Sequence, residues 1–158
     1  MSLLAFFQWC YATPVGETIR DSAWLFPVIE ATHLLGFVLT LGAVLIVELR
    51  LLGFGLIRQP VAELAANARP WLLGGVTVMF ASGIPLFMSE SIKAYYSFAF
   101  WVKMAALSLA LVFTFAVRRQ VIMADETLTR PVLNKFVAVV SLSLWSTVAV
   151  AGRLIGLP

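Results

Sequence analysis

The sequence predicts an all-α integral membrane protein, a four-transmembrane-helix bundle preceded by an N-terminal interfacial helix. Composition is the first observation: 61% of the 158 residues are hydrophobic, 12% are charged, and the mean hydropathy is +0.97. Soluble domains are about half apolar and about a quarter charged, so a soluble or disordered chain is excluded. At about 20 residues per crossing, the length allows four crossings and no separate soluble catalytic domain.

Four apolar runs supply the second observation, and each is long enough to form a transmembrane helix. Ser22 is a suitable N-cap for the first helix. Pro70 and Pro131 suit the first turns of the second and fourth helices, because proline lacks the backbone N–H that a first turn leaves unpaired. The runs extend from Ala23 to Val47, from Trp71 to Ser89, from Phe98 to Val117 and from Leu133 to Ala151.

Residues 1–22 form a different kind of segment. They begin with the aromatic residues Phe6, Phe7, Trp9 and Tyr11 and become polar after Pro14. The segment is too short and too broken to cross a bilayer, so we predict an amphipathic segment that lies at the membrane interface. The predicted organisation is therefore an interfacial segment at 1–22 and a four-helix transmembrane domain at 23–158.

Basic residues predict the orientation of the bundle. The net charge is +3, but the basic residues are scattered through short loops, so we expect no binding to nucleic acid. Under the positive-inside rule, the first and third connections lie in the cytoplasm and both termini in the periplasm of a bacterial inner membrane. Those two connections carry Arg50, Arg58, Arg69, Arg118, Arg119, Arg130 and Lys135, against Arg20, Lys93 and Arg153 on the other side.

Ionisable residues inside the spans are the main functional signal, because charged groups at membrane depth are costly and tend to pair or to line a site. Glu30 and His33 lie in the first span, Lys103 in the third, and Arg153 ends the fourth. All four lie toward the same side of the membrane, so we predict one polar site there. Glu48, which adjoins the first cytoplasmic connection, is interpreted as a solvated interface charge.

Few chemistries suit this set of residues. With one histidine and one cysteine, the chain lacks the three or four protein ligands of a zinc site. It also lacks a nucleophile elbow, a phosphate loop and a dinucleotide fingerprint. Three interpretations of the polar site remain: it binds a cofactor, it forms an ion or proton pathway, or it binds a hydrophobic ligand. The alternative without a site is a structural ion pair between Glu30 and Lys103, with His33 as a hydrogen-bonded core residue.

Haem b is the cofactor that a single histidine can hold. His33 is then the axial metal ligand, and Glu30 orients it. Lys103 is either a second ligand or the partner of a haem propionate, and Arg153 anchors a propionate through its bidentate guanidinium. A homo-oligomer in which two copies of His33 share one haem is a further option, and Gly152 with Gly156 forms a small-xxx-small pair suited to self-association.

Four segments of the sequence are similar to known families: EATHLLGFVLTLGAVLIVELRLLG, SGIPLFMSE, FWVKMAALSLAL and AGRLI. Over nearly the whole chain they resemble a family of small four-span bacterial membrane proteins of unassigned function. More distantly, they resemble the HemJ-type protoporphyrinogen oxidases and the CopD-type copper resistance membrane domains. The HemJ resemblance, a histidine early in span one and a lysine early in span three, implies that His33 ligates haem b iron and that Lys103 is needed for activity.

The sequence thus leads to a membrane-embedded haem b-binding redox protein. It either transfers electrons toward a quinone or another redox partner, or oxidises a small hydrophobic substrate such as a porphyrinogen, so an electron carrier and an oxidoreductase both stay open. The alternative is a cofactor-free protein that moves protons or metal ions through Glu30, His33 and Lys103. A third interpretation is an accessory subunit of a membrane complex.

Overall fold

A computed structural model describes residues 2–55, 58–123 and 131–156, and within these ranges the chain is helical and contains no strand. Four helices are long and apolar enough to cross a membrane, which confirms the all-α four-helix fold of a multi-pass membrane protein. The elements are α1 (Leu3–Tyr11), α2 (Pro14–Asp21), α3 (Leu25–Leu52), α4 (Val61–Tyr96), α5 (Phe98–Val112), a π-helical turn (Phe113–Arg118), α6 (Arg119–Met123) and α7 (Pro131–Ile155).

The helix borders follow the predicted signals with one exception. The Ser22 hydroxyl accepts a hydrogen bond from the backbone N–H of Leu25, the first residue of α3, and Pro131 is the first residue of α7. The placement of Pro70 in a first turn is wrong. The polar residues before it continue the same helix, so α4 begins at Val61 and Pro70 lies in its interior.

The four long helices run alternately up and down, which gives the bundle two distinct ends. We call the end that holds the N-terminal helices and residue 156 the terminal end, and the opposite end the loop end. Helix α4 packs on α3, α3 packs on α7, and α7 packs on α5. The orientation in a bacterial inner membrane with periplasmic termini stays a prediction. Arg130, one of the basic residues counted for that orientation, lies outside the described residues. All four long helices contribute to the central core of Ala43, Val44, Leu72, Ala110 and Trp145.

Helices α3 and α4 approach each other most closely through two glycines. A Cβ atom added at Gly75 would lie 2.5 Å from Thr40 Oγ1 and 2.8 Å from the carbonyl oxygen of Gly36. A Cβ atom added at Gly36 would lie 2.9 Å from Cγ1 of Val78. Small residues permit such backbone contact, which is a main source of helix association in lipid. This crossing fixes the depth at which side chains of α3 face α4.

The N-terminal segment folds as two helices that pack against the terminal end of α4. The Phe7 side chain is buried among aromatic residues of both α4 and α5, with ring centroids 5.2 Å from Phe87 and 6.1 Å from Phe100. The hydroxyl of buried Ser91 donates a hydrogen bond of 2.9 Å to the Phe7 carbonyl. Helix α1 therefore joins α4 to α5 at the terminal end of the bundle.

Helix α2 is attached to α4 where α4 is irregular. Glu90 departs from helical geometry, with φ −121° and ψ 21°. The Arg20 guanidinium donates a hydrogen bond of 3.2 Å to the nearby carbonyl of Ser89 and lies 3.6 Å over the ring of Tyr11. A Cβ atom at Gly16 would meet the carbonyl oxygen of Met88 at 2.8 Å, so the backbones of α2 and α4 are in contact here.

Alanine substitution at Gly75 tests the helix crossing. We expect Gly75→Ala to lower stability by about 1 to 3 kcal/mol, because the added methyl group overlaps backbone atoms that cannot move independently. Gly74→Ala is the matched control, since a Cβ atom at Gly74 meets no atom within 4 Å. Thermal unfolding of the detergent-solubilised variants measures the difference. Equal melting temperatures for the two variants would contradict the close approach.

Candidate functional site

His33 lies on α3, partly buried, and its ring faces α4 near the terminal end of the bundle. Its Nδ1 atom is 3.1 Å from the hydroxyl oxygen of Ser82. Ser82 donates its own hydroxyl proton to the carbonyl oxygen of Val78 at 2.6 Å. A hydroxyl has one proton to donate, so when Ser82 donates to Val78 it accepts a hydrogen bond from His33, and in that arrangement Nδ1 carries the proton. In the neutral ring, Nε2 then holds the free lone pair.

Glycine leaves room for the His33 ring on α4. A Cβ atom added at Gly83 would lie 3.1 Å from His33 Cε1 and 3.4 Å from Nδ1. The ring therefore packs directly against the backbone of α4, one residue after its hydrogen-bond partner Ser82. Buried Met79 lies one turn earlier on the same helix. The local sequence thus holds the imidazole in one orientation, with Nδ1 facing Ser82.

Lys103 approaches the same region from α5. Its side chain packs over Gly152 of α7, where an added Cβ atom would lie 3.6 Å from both Cε and Nζ. Lys103 is partly buried between α5 and α7. The structure thus places His33 against Ser82 and Gly83 of α4, and Lys103 against Gly152 of α7, with no hydrogen bond between the imidazole and the amine among the described contacts. Gly152, one residue of the predicted small-xxx-small pair, packs on Lys103 of the same chain, and the homo-oligomer stays a prediction.

Glu30 and Arg153, the other two predicted site residues, lie outside this group. Both side chains are exposed, and neither forms a hydrogen bond or an ion pair with any described residue. Glu30 lies one turn before His33 on α3, but the residue that contacts the ring is Ser82. Arg153 follows Gly152 at the terminal end of α7, where its guanidinium can reach the membrane interface.

A second polar group, which the sequence analysis missed, lies near the loop end. Arg118 Nε is 2.9 Å from Glu48 Oε1, and both side chains are nearly inaccessible, at 6% and 0% exposed. The interpretation of Glu48 as a solvated interface charge is therefore wrong, and so is the count of Arg118 as a loop cation. Glu48 is on the buried stripe of α3, and the π-helical turn directs Arg118 toward it.

The sequence does contain a signal for this pair. The buried stripe of α3 continues from His33 through Gly36 and Thr40, and Glu48 lies eight residues after Thr40, close to the same helix face. Buried Ser141 of α7 lies beside the Glu48 carboxylate. Further into the bundle, the Trp145 indole N–H donates a hydrogen bond of 3.2 Å to the Thr114 hydroxyl, and both residues are buried.

Two apolar grooves open on the surface of the bundle. One, of about 350 Å³, lies between α3 and α4 around Gly42 and Trp71. The other, of about 370 Å³, lies between α5 and α7 and is lined by residues of both helices, including Phe98 and Leu154. His33 lines neither groove, but the second includes Val102 and Ala151, the chain neighbours of Lys103 and Gly152. The second groove thus lies between the two helices that carry Lys103 and Gly152, although neither of these residues lines it.

Comparison with known proteins places this architecture in a family. A family model described as a family of unknown function (DUF6644) matches residues 6–158. The chain belongs to this family. No curated protein and no solved structure gives a significant match, so the comparisons show no resemblance to HemJ-type or CopD-type proteins. The DUF6644 match and the four apolar helices together establish a small membrane protein. Its chemistry must be argued from its own side chains.

Proposed function

We propose that this DUF6644 protein binds haem b in the membrane and acts in a redox reaction, with His33 as the axial ligand. The observation that carries the proposal is the hydrogen bond from His33 Nδ1 to Ser82. Histidine ligands of metals commonly donate their second ring N–H to a fixed acceptor, which sets the tautomer and the ring orientation. Ser82 supplies that acceptor and leaves Nε2 free to bind iron.

The surrounding residues fit the same cofactor. Gly83 and Gly152 let the His33 ring and the Lys103 side chain pack directly on the backbones of α4 and α7, so both side chains are held between helices, where haem would bind. Lys103 can act as a second axial ligand when neutral or can pair with a propionate when protonated. Arg153 is exposed at the terminal end, where it can bind a propionate at the interface. The histidine ligand thus lies inside the bundle, while a propionate partner is near the membrane surface.

A bound haem b supplies one-electron chemistry, and the protein positions it. His33 would hold the metal, and Lys103 would supply a cationic or ligating amine on the same side of the bundle. The apolar groove between α5 and α7 offers a binding surface for a hydrophobic reaction partner along the helix that carries Lys103. A quinone that accepts electrons and a porphyrinogen that is oxidised are both molecules of this class. Glu30 is exposed at membrane depth, which favours contact with a redox partner protein or a second copy.

Cofactor-free transport of protons or ions is the second candidate, and the buried Glu48–Arg118 pair favours it. Ion pathways in membrane proteins are lined by ionisable residues inside the spans. Transport of a metal ion is the weaker form, because the described residues contain no group of three or more His, Cys, Asp or Glu side chains arranged to hold a metal. A colourless purified protein that moves protons across vesicles would favour this candidate over haem binding.

Haem content of three alanine variants tests the leading proposal. We expect wild-type protein to bind haem b, His33→Ala to bind none, and Ser82→Ala to bind about 10 to 100 times more weakly. Thr77→Ala is the matched control, because Thr77 forms the same kind of hydrogen bond to the carbonyl four residues earlier but is exposed to lipid. A pyridine haemochrome assay on folded, detergent-purified protein measures the content.

Full haem content in His33→Ala would overturn the proposal, and so would a colourless wild type after expression with added haem. Circular dichroism establishes that each variant is folded. Lys103→Met then distinguishes the two roles of the amine. It shifts the absorption bands of the bound haem if Lys103 is a ligand, and it leaves the bands in place if Lys103 pairs with a propionate.

The orientation of the bundle is a separate proposal. With Arg118 buried, the described part of the loop end still carries five Lys and Arg residues outside the bundle interior, against three at the terminal end. The positive-inside rule therefore still places the termini in the periplasm. We expect alkaline phosphatase fused after residue 158 to be active in a bacterial host, and green fluorescent protein at the same site to be dark. The reverse result would invert the orientation.

A further inference from the structure

The Glu48–Arg118 pair has no role in the function proposed for His33. Glu48 is fifteen residues after His33 on α3, which corresponds to about 22 Å along a helix axis. It lies near the loop end, whereas His33 and Lys103 lie near the terminal end. An account of this second polar group therefore stands independently of haem binding.

The pair is incompletely satisfied. Although Arg118 Nε is 2.9 Å from Glu48 Oε1, neither carboxylate oxygen has a hydrogen-bond partner of good geometry among the described residues, nor does Arg118 Nε. The buried hydroxyl of Ser141 is also without one. Unsatisfied buried polar groups are costly, most of all when they are charged. A proton on Glu48 would remove the buried negative charge and turn the carboxyl group into a donor for a neighbouring oxygen.

Few other charged groups surround Glu48. Helix α7 presents Ser141 to it, and α4 contributes buried Leu64 to this end of the bundle, while its charged residues Glu63 and Arg69 are exposed. On α3, Arg50 donates a hydrogen bond to the carbonyl of Gln59. Lys135 at the start of α7 is exposed. Arg118 is therefore the described charged group that directly faces the carboxylate.

Arg118 occupies a position from which it can leave the bundle. It is the last residue of the π-helical turn and lies next to exposed Arg119 at the loop end. Single π turns inside α-helices are often found at functional sites. Conversion of this turn to α geometry rotates the C-terminal end of the turn, which includes Arg118, and the residues after it by up to one helical position, about 100°. That rotation moves the guanidinium from the bundle interior toward the interface, where a long basic side chain is solvated.

We propose that Glu48 is a proton-binding site reached from the loop end of the bundle. The carboxylate takes one proton from a hydronium ion, so that one O–H bond forms on Glu48 and one water molecule is released. Arg118 leaves the interior as the π turn converts to an α turn, and its positive charge moves into interfacial water. The bound species is a proton and not a metal cation, because among the described residues no group of three or more His, Cys, Asp or Glu side chains is arranged to hold a metal.

Infrared difference spectroscopy in lipid bilayers tests proton binding directly. On acidification, we expect wild-type protein to show the carbonyl band of a buried protonated carboxyl group, at higher frequency than the bands of water-exposed carboxyl groups. Glu48→Gln should abolish this band. The control, Glu63→Gln, should retain it, since Glu63 is exposed at the same end. A wild type without the band, or a band that persists in Glu48→Gln, would overturn the proposal.

A second measurement tests the movement of Arg118. Glutamine imitates protonated glutamate, so Glu48→Gln should expose Arg118 to phenylglyoxal, a water-soluble guanidine reagent. We expect modification of Arg118, located by mass spectrometry, to be at least ten times faster in Glu48→Gln than in wild type or Glu63→Gln. Equal protection in all three proteins would contradict release of the arginine. If Glu48→Gln does not fold, a double variant that carries both Glu48→Gln and Arg118→Gln replaces it in the infrared test. The carbonyl band of the buried carboxyl group must be absent from this double variant as well.

Discussion

A polar side chain inside a bilayer has no water to bind, and this constraint organises the bundle. Each polar group at depth must find a partner on its own helix or on another, or carry the cost of desolvation. Here the polar groups gather in two layers. One joins α3 to α4 through His33 and Ser82, and the other joins α3 to the π-helical turn through Glu48 and Arg118. The glycine crossing at Gly75 holds α3 and α4 close enough for the first layer to form.

The sequence predicts the spans well, because crossing a membrane requires long apolar runs that composition alone reveals. It predicts helix faces poorly, because lipid-facing residues such as Leu35 and Val38 are as apolar as the core. On α3 the buried stripe includes small and polar residues. The assumption that a charged residue near a helix end faces solvent therefore assigned Glu48 to the surface in error. Glu30 and His33 differ by about 60° around the helix, enough to expose the first and partly bury the second. Ser82 was missed because a serine hydroxyl in a span usually bonds only its own helix.

The two layers give the protein different chemistry at its two ends. Near the terminal end, an imidazole and an amine are held against glycines of α4 and α7, which suits the haem ligand and its partner proposed above. Near the loop end, a carboxylate and a guanidinium lie at a helical irregularity, which suits uptake of a proton. Redox reactions of quinones and porphyrinogens release or consume protons, so the two sites are chemically compatible in one small protein, although each proposal stands alone.

The protonation of His33 is the point on which the ligand proposal depends, and the chain contains one histidine. Nitrogen-15 magnetic resonance of histidine-labelled, haem-free protein in lipid therefore reports this ring alone. The account predicts a protonated Nδ1 and an unprotonated Nε2, with haem addition perturbing the Nε2 resonance most strongly. An unprotonated Nδ1 with a protonated Nε2, or resonances that haem leaves unchanged, would contradict it.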